Sequence, residues 1–189
     1  MKQESISSKN YPGIFEMVYA PNWYLKGHED LYSQKILSSK KSDESEFFKP
    51  FLKDMIENLK NQMIFPENIK LITIVPNSHL SYSPTLISLG KWLANYFESE
   101  FKIIIVPNKE CRRNISGNTC EERFNITKGS MYINQEISDK ENMILLLDDT
   151  KTTGTTTLEC IKILKEKGAR IIYPICLGIN HNLRFFNEK

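Results

Sequence analysis

The chain has 189 residues, of which 40% are hydrophobic and 25% charged; that is enough to bury one core without disulfides or metals, and it excludes a wholly disordered chain. Eight glycines and eight prolines exclude collagen-like and linker-dominated architectures. With 25 basic and 23 acidic residues the net charge is +2, whereas a protein that lives on nucleic-acid phosphates usually carries a larger basic excess.

The opening residues MKQESISSKN lack the apolar stretch of a signal peptide. The longest apolar runs fall far short of the ~20 residues that span a bilayer, so a soluble, cytoplasmic protein without a membrane partner is expected. Residues 1–46 predict a strand over Glu16–Tyr19, a helix over Glu29–Ser38 and a solvated linker over Ser38–Ser45 (SSKKSDES). The aromatics Tyr11, Phe15, Tyr19, Trp23 and Tyr24 suit a small core better than a base-stacking surface. Phe51, Leu52, Met55, Ile56, Leu59 and Met63 mark an amphipathic helix over 48–63.

Four continuous apolar runs follow: Leu71–Val75, Ile103–Val106, Met143–Leu147 and Ile171–Leu177. Continuous rather than alternating apolarity suggests strands buried on both faces, as in a parallel sheet covered by helices. Ser83-Pro84 is a helix start, a capping hydroxyl followed by proline in the first turn. Leu86, Leu89, Leu93 and Phe97 form that helix's apolar face, ending near Glu98. Another helix is predicted over Thr155–Lys167, with Leu158, Ile161 and Leu164 inward and Gly168 at its C-terminal cap. Strands alternating with helices predict a single three-layer α/β/α domain with a mainly parallel central sheet. The polar segment 107–129 shows no clear period, which in a compact domain marks a functional lid or an insertion. Cys111, Cys120, Cys160 and Cys176 contain no C-x-x-C pair, so neither a zinc ribbon nor a redox motif is expected, only thiols in a reducing compartment.

The chemistry concentrates in MILLLDDTKTTGTTT, residues 143–157. An apolar strand runs into Asp148 and Asp149, then into Thr152-Thr153-Gly154-Thr155-Thr156-Thr157 and a helix. Ligands of α/β sheets bind beyond the carboxyl ends of the strands. Gly154 permits a tight turn, and the amides that follow are a helix N-terminus, where free N–H groups and the dipole attract an anion. Two carboxylates beside a phosphate cradle would repel a bare phosphate; they suit the hydroxyls of an attached sugar, or Mg²⁺. No G-x-x-x-x-G-K-[ST] is present, so the loop is not a Walker A motif.

This segment resembles the phosphoribosyl-pyrophosphate (PRPP) signature of type I phosphoribosyltransferases: apolar strand, acid pair, two variable residues, T-T-G-x-T loop. In element order the resemblance covers roughly residues 70–178, and it is nearest the ComF-like, amidophosphoribosyltransferase-like group. Ile74-Val75-Pro76 at the end of the first core strand and Arg123-Phe124-Asn125 ahead of Gly129 support it. The resemblance implies the type I phosphoribosyltransferase fold, with residues 1–70 as a hood and lead-in helix, 71–178 as the core and 179–189 as a tail. It implies that Asp148 and Asp149 hold the ribose hydroxyls and serve Mg²⁺, directly or through water or substrate. Thr152, Thr153, Gly154, Thr155 and Thr156 would bind the 5′-phosphate, and Asn77, Ser78, His79, Lys109 and Arg112 the pyrophosphate. Arg112 and Arg113, in a lid over 107–129, would join the acid pair in catalysis. Ser130–Asn134 would be the antiparallel strand of the sheet.

The implied activity is transfer of the phosphoribosyl group of PRPP to a nitrogen acceptor, a nucleobase or amine, with release of pyrophosphate. Its leaving group needs cations, exclusion of water and a positioned nucleophile. Lys109, Arg112, Arg113, Arg123 and Lys128 offer the cations, and arginine suits bidentate phosphate contacts. The chain departs from the signature in Thr150 and Lys151, usually apolar, and in Thr152, where some purine-salvage members carry an acid; that speaks against a hypoxanthine–guanine acceptor. Alternatives are a non-catalytic PRPP- or nucleotide-binding regulatory module, and a ComF-like protein linked to DNA uptake. A homodimer is the family's common form; the sequence itself leaves oligomeric state open.

Overall fold

A computed structural model describes residues 1–7, 15–24, 30–66, 68–77, 81–108 and 120–180. In chain order these form β1 (Lys2–Ser7), β2 (Phe15–Ala20), β3 (Asn22–Tyr24), α1 (Leu31–Ser38), α2 (Ser45–Asn61), β4 (Leu71–Ile74), α3 (Pro84–Phe97), β5 (Glu100–Phe101), β6 (Ile105–Pro107), α4 (Cys120–Thr127), β7 (Met131–Ile133), β8 (Met143–Lys151), α5 (Thr155–Glu166) and β9 (Ile171–Asn180). Seven strands make one sheet in the order β1-β2-β9-β8-β4-β5, with β3 also pairing β9. Every pairing in it is parallel except β1 with β2.

Strand alternation divides the core into two layers. Ile144 and Leu146 of β8 pack with Leu158, Ile161 and Leu164 of α5. Leu145 and Leu147 pack with Ile36 of α1, Leu52 and Met55 of α2 and Leu86, Leu89 and Leu93 of α3. Helices therefore cover both faces, and the architecture is three-layer α/β/α with a mainly parallel sheet, as the sequence predicts. No helix among the described residues is long and apolar enough to cross a membrane.

The helix starts follow their signals. Ser83 caps α3, its Oγ accepting from Leu86 N–H at 3.3 Å, with Pro84 in the first turn; such a cap is worth ~1 kcal/mol. Asp30 caps α1 in the same way.

Several expectations are corrected. The Ile103–Val106 run is not a central strand. Ile103 packs against the α1–α3 layer, while Ile104 and Ile105 are buried in the α5 layer. The run thus crosses from one side of the sheet to the other, and its continuous apolarity records burial in two places. Only Glu100–Phe101 pair with β4. Ile105–Pro107 pair instead with Met131–Ile133, antiparallel, in a separate two-stranded sheet, so the strand expected within Ser130–Asn134 exists but lies outside the main sheet. Segment 107–129 is not without structure, since α4 occupies 120–127. Phe51 on α2 and Met63 beyond its end, both read as inward, are exposed, while Phe48, Leu52, Met55, Ile56 and Leu59 form the buried stripe.

Ser38–Ser45 is not a solvated linker. Ser39 and Ser45 are buried, and the segment is strapped to the start of α3. Ser83 Oγ donates to Ser39 O at 2.6 Å, Thr85 Oγ1 donates to Ser42 O and accepts from Glu44 N–H, both at 2.8 Å, and Ser88 Oγ donates to Asp43 Oδ2 at 2.6 Å. A polar composition satisfied by the side chains of another helix looks, in sequence, like one satisfied by water.

Candidate functional site

Because the sheet is parallel, β4, β8 and β9 end on the same side. Val75 N–H donates to Leu147 O at 2.9 Å, which brings Pro76 and Asn77 alongside the acid pair. β8 does not stop at Leu147: its pairing with β9 continues through Asp148↔Cys176 and Thr150↔Gly178 to Lys151↔Ile179. The acids therefore sit within a strand and leave it in different directions.

Asp148 turns toward α5. Its Oδ2 accepts from Thr157 Oγ1 at 3.1 Å, and its Oδ1 accepts from Asp149 N–H at 2.8 Å. Crowding by protein, and then the neighbouring Asp149 charge, push its pKa up to about 7, against the opposing pull of those hydrogen bonds and of Lys40. Asp149, buried, turns toward the α1–α3 layer. Its Oδ2 is 3.3 Å from Lys40 Nζ, and its Oδ1 accepts from Thr150 Oγ1 at 2.9 Å. Burial works against the Lys40 ammonium, but Asp149 outweighs it and holds the Lys40 pKa above its ordinary value. The buried Tyr24 phenol on β3 feels both charges, and its pKa is raised chiefly by burial. Beneath the pair, burial and then the Asp148 charge push the Cys176 thiol up.

The threonine loop turns into α5 at Gly154, whose φ of 78° is the left-handed conformation that favours glycine. Thr152 is exposed, Thr153 and Thr156 half-buried, and Thr155 and Thr157 buried. Thr153 Oγ1 and Thr155 Oγ1 are 3.1 Å apart. The loop thus presents Thr152, Thr153 and Thr156 outward over the first amides of α5. At the other strand end, Asn77 N–H donates to Ser81 O at 2.8 Å and its side-chain amide bonds the Ser81 hydroxyl. Ser78, His79, Lys109, Arg112 and Arg113 lie outside the described residues, as does the side chain of Arg123. Lys128 is exposed. The buried Glu159 of α5 accepts from Gly129 N–H at 2.8 Å, which pins the end of segment 107–129 to the helix that carries the threonine loop.

The structure therefore brings together Asp148, Asp149, the 152–156 loop and Asn77, and it adds three residues that sequence reasoning passed over. Lys40 sits in a polar, mixed-charge run and has no local signal. Tyr24 was one of several aromatics. Glu159 is one of two acids on α5, and its burial, set by i, i+4 spacing with Thr155 and Ile163, distinguishes it from exposed Glu166. Lys151, a departure from the signature, is buried and ion-paired with Glu4 of β1 at 2.5 Å.

No family model matches the chain. It is 31% identical over 97 residues to a ribose-phosphate pyrophosphokinase of Methanopyrus kandleri (strain AV19), which covers 47% of this chain and 33% of that relative. The chain thus spans about a third of the relative's length. A solved structure of the allosteric regulatory enzyme of purine biosynthesis superposes on 57% of this chain and 21% of its own, with 18% identity and a TM-score of 0.36.

Proposed function

We propose that this chain is a phosphoribosyltransferase-like protein of the type I fold that binds PRPP at the carboxyl end of β8 and transfers its phosphoribosyl group to a nitrogen acceptor. The observation that carries this reading is the passage of one strand, β8, through two acids directly into a left-handed glycine turn at the N-terminus of α5. Sugar hydroxyls are matched by carboxylates and a 5′-phosphate by helix amides and threonine hydroxyls, in the order in which a ribose 5-phosphate presents them. The kinship with a ribose-phosphate pyrophosphokinase supports a ribose phosphate as the ligand.

In this reading Asp148 and Asp149 hold the ribose hydroxyls and 152–156 the 5′-phosphate. Lys109, Arg112 and Arg113 close over the pyrophosphate with Asn77, Ser78 and His79. A nitrogen lone pair attacks C1′, the C1′–O bond breaks, and pyrophosphate leaves with that electron pair. The site is screened from water when the 107–129 segment covers it. Residues 1–70 select the acceptor, although β1–β3 also build part of the sheet. Mg²⁺ belongs to this reading as the counter-ion of the pyrophosphate. A place in the cytoplasm and in nucleotide metabolism belongs to this reading, with oligomeric state left open. The finer likeness to the ComF-like group rests on short motifs alone; the relative is a pyrophosphokinase, so the reading extends only to PRPP chemistry.

One observation favours a second reading, a regulatory module that binds PRPP without turnover. Asn77 is bonded to Ser81 through both backbone and side chain, leaving less of Asn77 to grip pyrophosphate. Titration calorimetry with PRPP and Mg²⁺, followed by pyrophosphate release over a panel of nucleobases and amines, tests both. Binding with turnover on any acceptor supports the transferase, and binding without turnover the module. Absence of binding at millimolar PRPP, or binding indifferent to Asp148→Asn with Asp149→Asn, overturns both.

A further inference from the structure

The acid pair comes with a cation of its own. Lys40 Nζ stands 3.3 Å from Asp149 Oδ2, and its place is built. It follows α1 directly, in the strap fixed to α3 through Ser83, Thr85 and Ser88. At the far end of the strap, Lys35 Nζ bonds Glu44 Oε2 at 2.6 Å. The Lys40 side chain keeps 44% of its surface exposed against 12% for Asp149, so the ion pair is reached from solvent on the Lys40 side. An ammonium carries three donors; one meets Asp149, and an ammonium so placed can donate to a ligand at the acid pair as well.

The same geometry bears on Mg²⁺. That ion needs near-octahedral oxygen ligands and is held by one or two carboxylates together with substrate phosphates. Asp148 and Asp149 leave β8 toward opposite layers, each already accepting two contacts, and carboxylates that diverge do not close on one ion. Among the described residues no three His, Cys, Asp or Glu side chains converge. An ammonium at Asp149 also repels a second cation. The acid pair does not fit direct Mg²⁺ ligation, which leaves the expected role of Asp148 and Asp149 toward Mg²⁺ to water or substrate.

We propose that Lys40 takes the place of a directly held divalent cation at the acid pair, orienting Asp149 and donating to a ligand oxygen beside it, so that a ribose 5-phosphate group binds here without Mg²⁺. The inference rests on the reading of the site as a ribose-phosphate site. Mg²⁺ is then required only by ligands whose pyrophosphate brings it.

The test is calorimetric titration of ribose 5-phosphate into the wild-type protein, Lys40→Met and Lys40→Arg, in EDTA and in millimolar Mg²⁺. Wild type binds with the same affinity, within about two-fold, in both buffers. Lys40→Met weakens binding in EDTA by about ten-fold or more, the loss of one charge-assisted hydrogen bond, and Lys40→Arg keeps most of the affinity. Wild-type binding that appears only with Mg²⁺, or a Lys40→Met protein of unchanged affinity, overturns the inference. Lys40 is half-exposed, so the variants fold, and matching thermal melts check that. Titration of PRPP with Mg²⁺ in the same series separates the two levels. If PRPP with Mg²⁺ binds and ribose 5-phosphate in EDTA does not, only the role of Lys40 falls. If neither binds, the ribose-phosphate reading falls with it.

Discussion

Gly178 is where packing and site meet, and Gly178→Ala tests how tightly. The residue is buried in β9 and pairs with Asn22 of β3 and Thr150 of β8. A Cβ built there would stand 2.6 Å from Ile36 Cδ1 and 2.9 Å from Tyr24 Cβ. The first contact is with the end of a flexible side chain, which can turn away. The second is with an atom joined directly to the β3 backbone, which is held to β9 by Asn22↔Gly178, Trp23↔Ile179 and Tyr24↔Asn180. Relief therefore requires β3 to shift. Overpacking of this kind costs ~1–3 kcal/mol, or a fall in Tm of about 2–12 °C for a domain of this size. Urea denaturation of the wild type and Gly178→Ala measures it. Adding Ile36→Val removes Cδ1 and relieves only the first contact, so the double variant stays below Ile36→Val alone. A Gly178→Ala protein within about 0.5 kcal/mol of wild type, or one fully rescued by Ile36→Val, refutes the claim that β3 is rigidly seated against β9.

Two further outcomes follow from the charges around β8. Lys151 is buried while its partner Glu4 is half-exposed, so Glu4→Gln, which strands a buried ammonium, destabilises by ~1–3 kcal/mol, and Lys151→Met, which removes the buried charge, costs less; the reverse order in chemical denaturation would refute the pairing. For Asp148, a native pKa raised from 3.8 to about 7 means that the folded state binds the proton more tightly than the unfolded state. Its contribution to stability is complete below pH ~4 and declines as the pH rises toward 7. Thermal melts therefore show wild-type stability lost across that window, and Asp148→Asn, which keeps one acceptor oxygen for the Asp149 amide and offers its NH2 to the Thr157 hydroxyl, flattens the decline; an unchanged pH slope in the variant refutes it.

Much of this molecule could be read along the chain, because local rules decide it. Ser83-Pro84 opens α3, Gly168 follows the end of α5, and the apolar faces Leu86/Leu89/Leu93 and Leu158/Ile161/Leu164 point inward, since each depends on spacings of three and four residues. The DD–TTGTT segment is legible for the same reason: its acids, glycine and threonines are adjacent in sequence. What escaped is whatever depends on distant partners. The IIIV run looked like a strand of the main sheet, though only Ile105 and Val106 of it join a strand and that strand lies in the separate sheet, because apolarity does not record which side of a sheet buries a residue. The Ser38–Ser45 strap looked solvated, because its partners Ser83, Thr85 and Ser88 lie some forty residues away. The divergence of Asp148 and Asp149, too, depends on β8 continuing its ladder with β9 to Lys151; a strand that ended at Leu147 would have left both carboxylates free to close on one ion. Lys40 is the extreme case. Nothing in its neighbourhood along the chain distinguishes it from Lys41, and only the strap's anchorage to α3 sets its ammonium beside Asp149. The sequence by itself determined the layered α/β fold and the chemistry of the loop; the tertiary structure decided which charges stand around the acid pair, because ion pairs form between side chains that packing, not spacing, brings within reach.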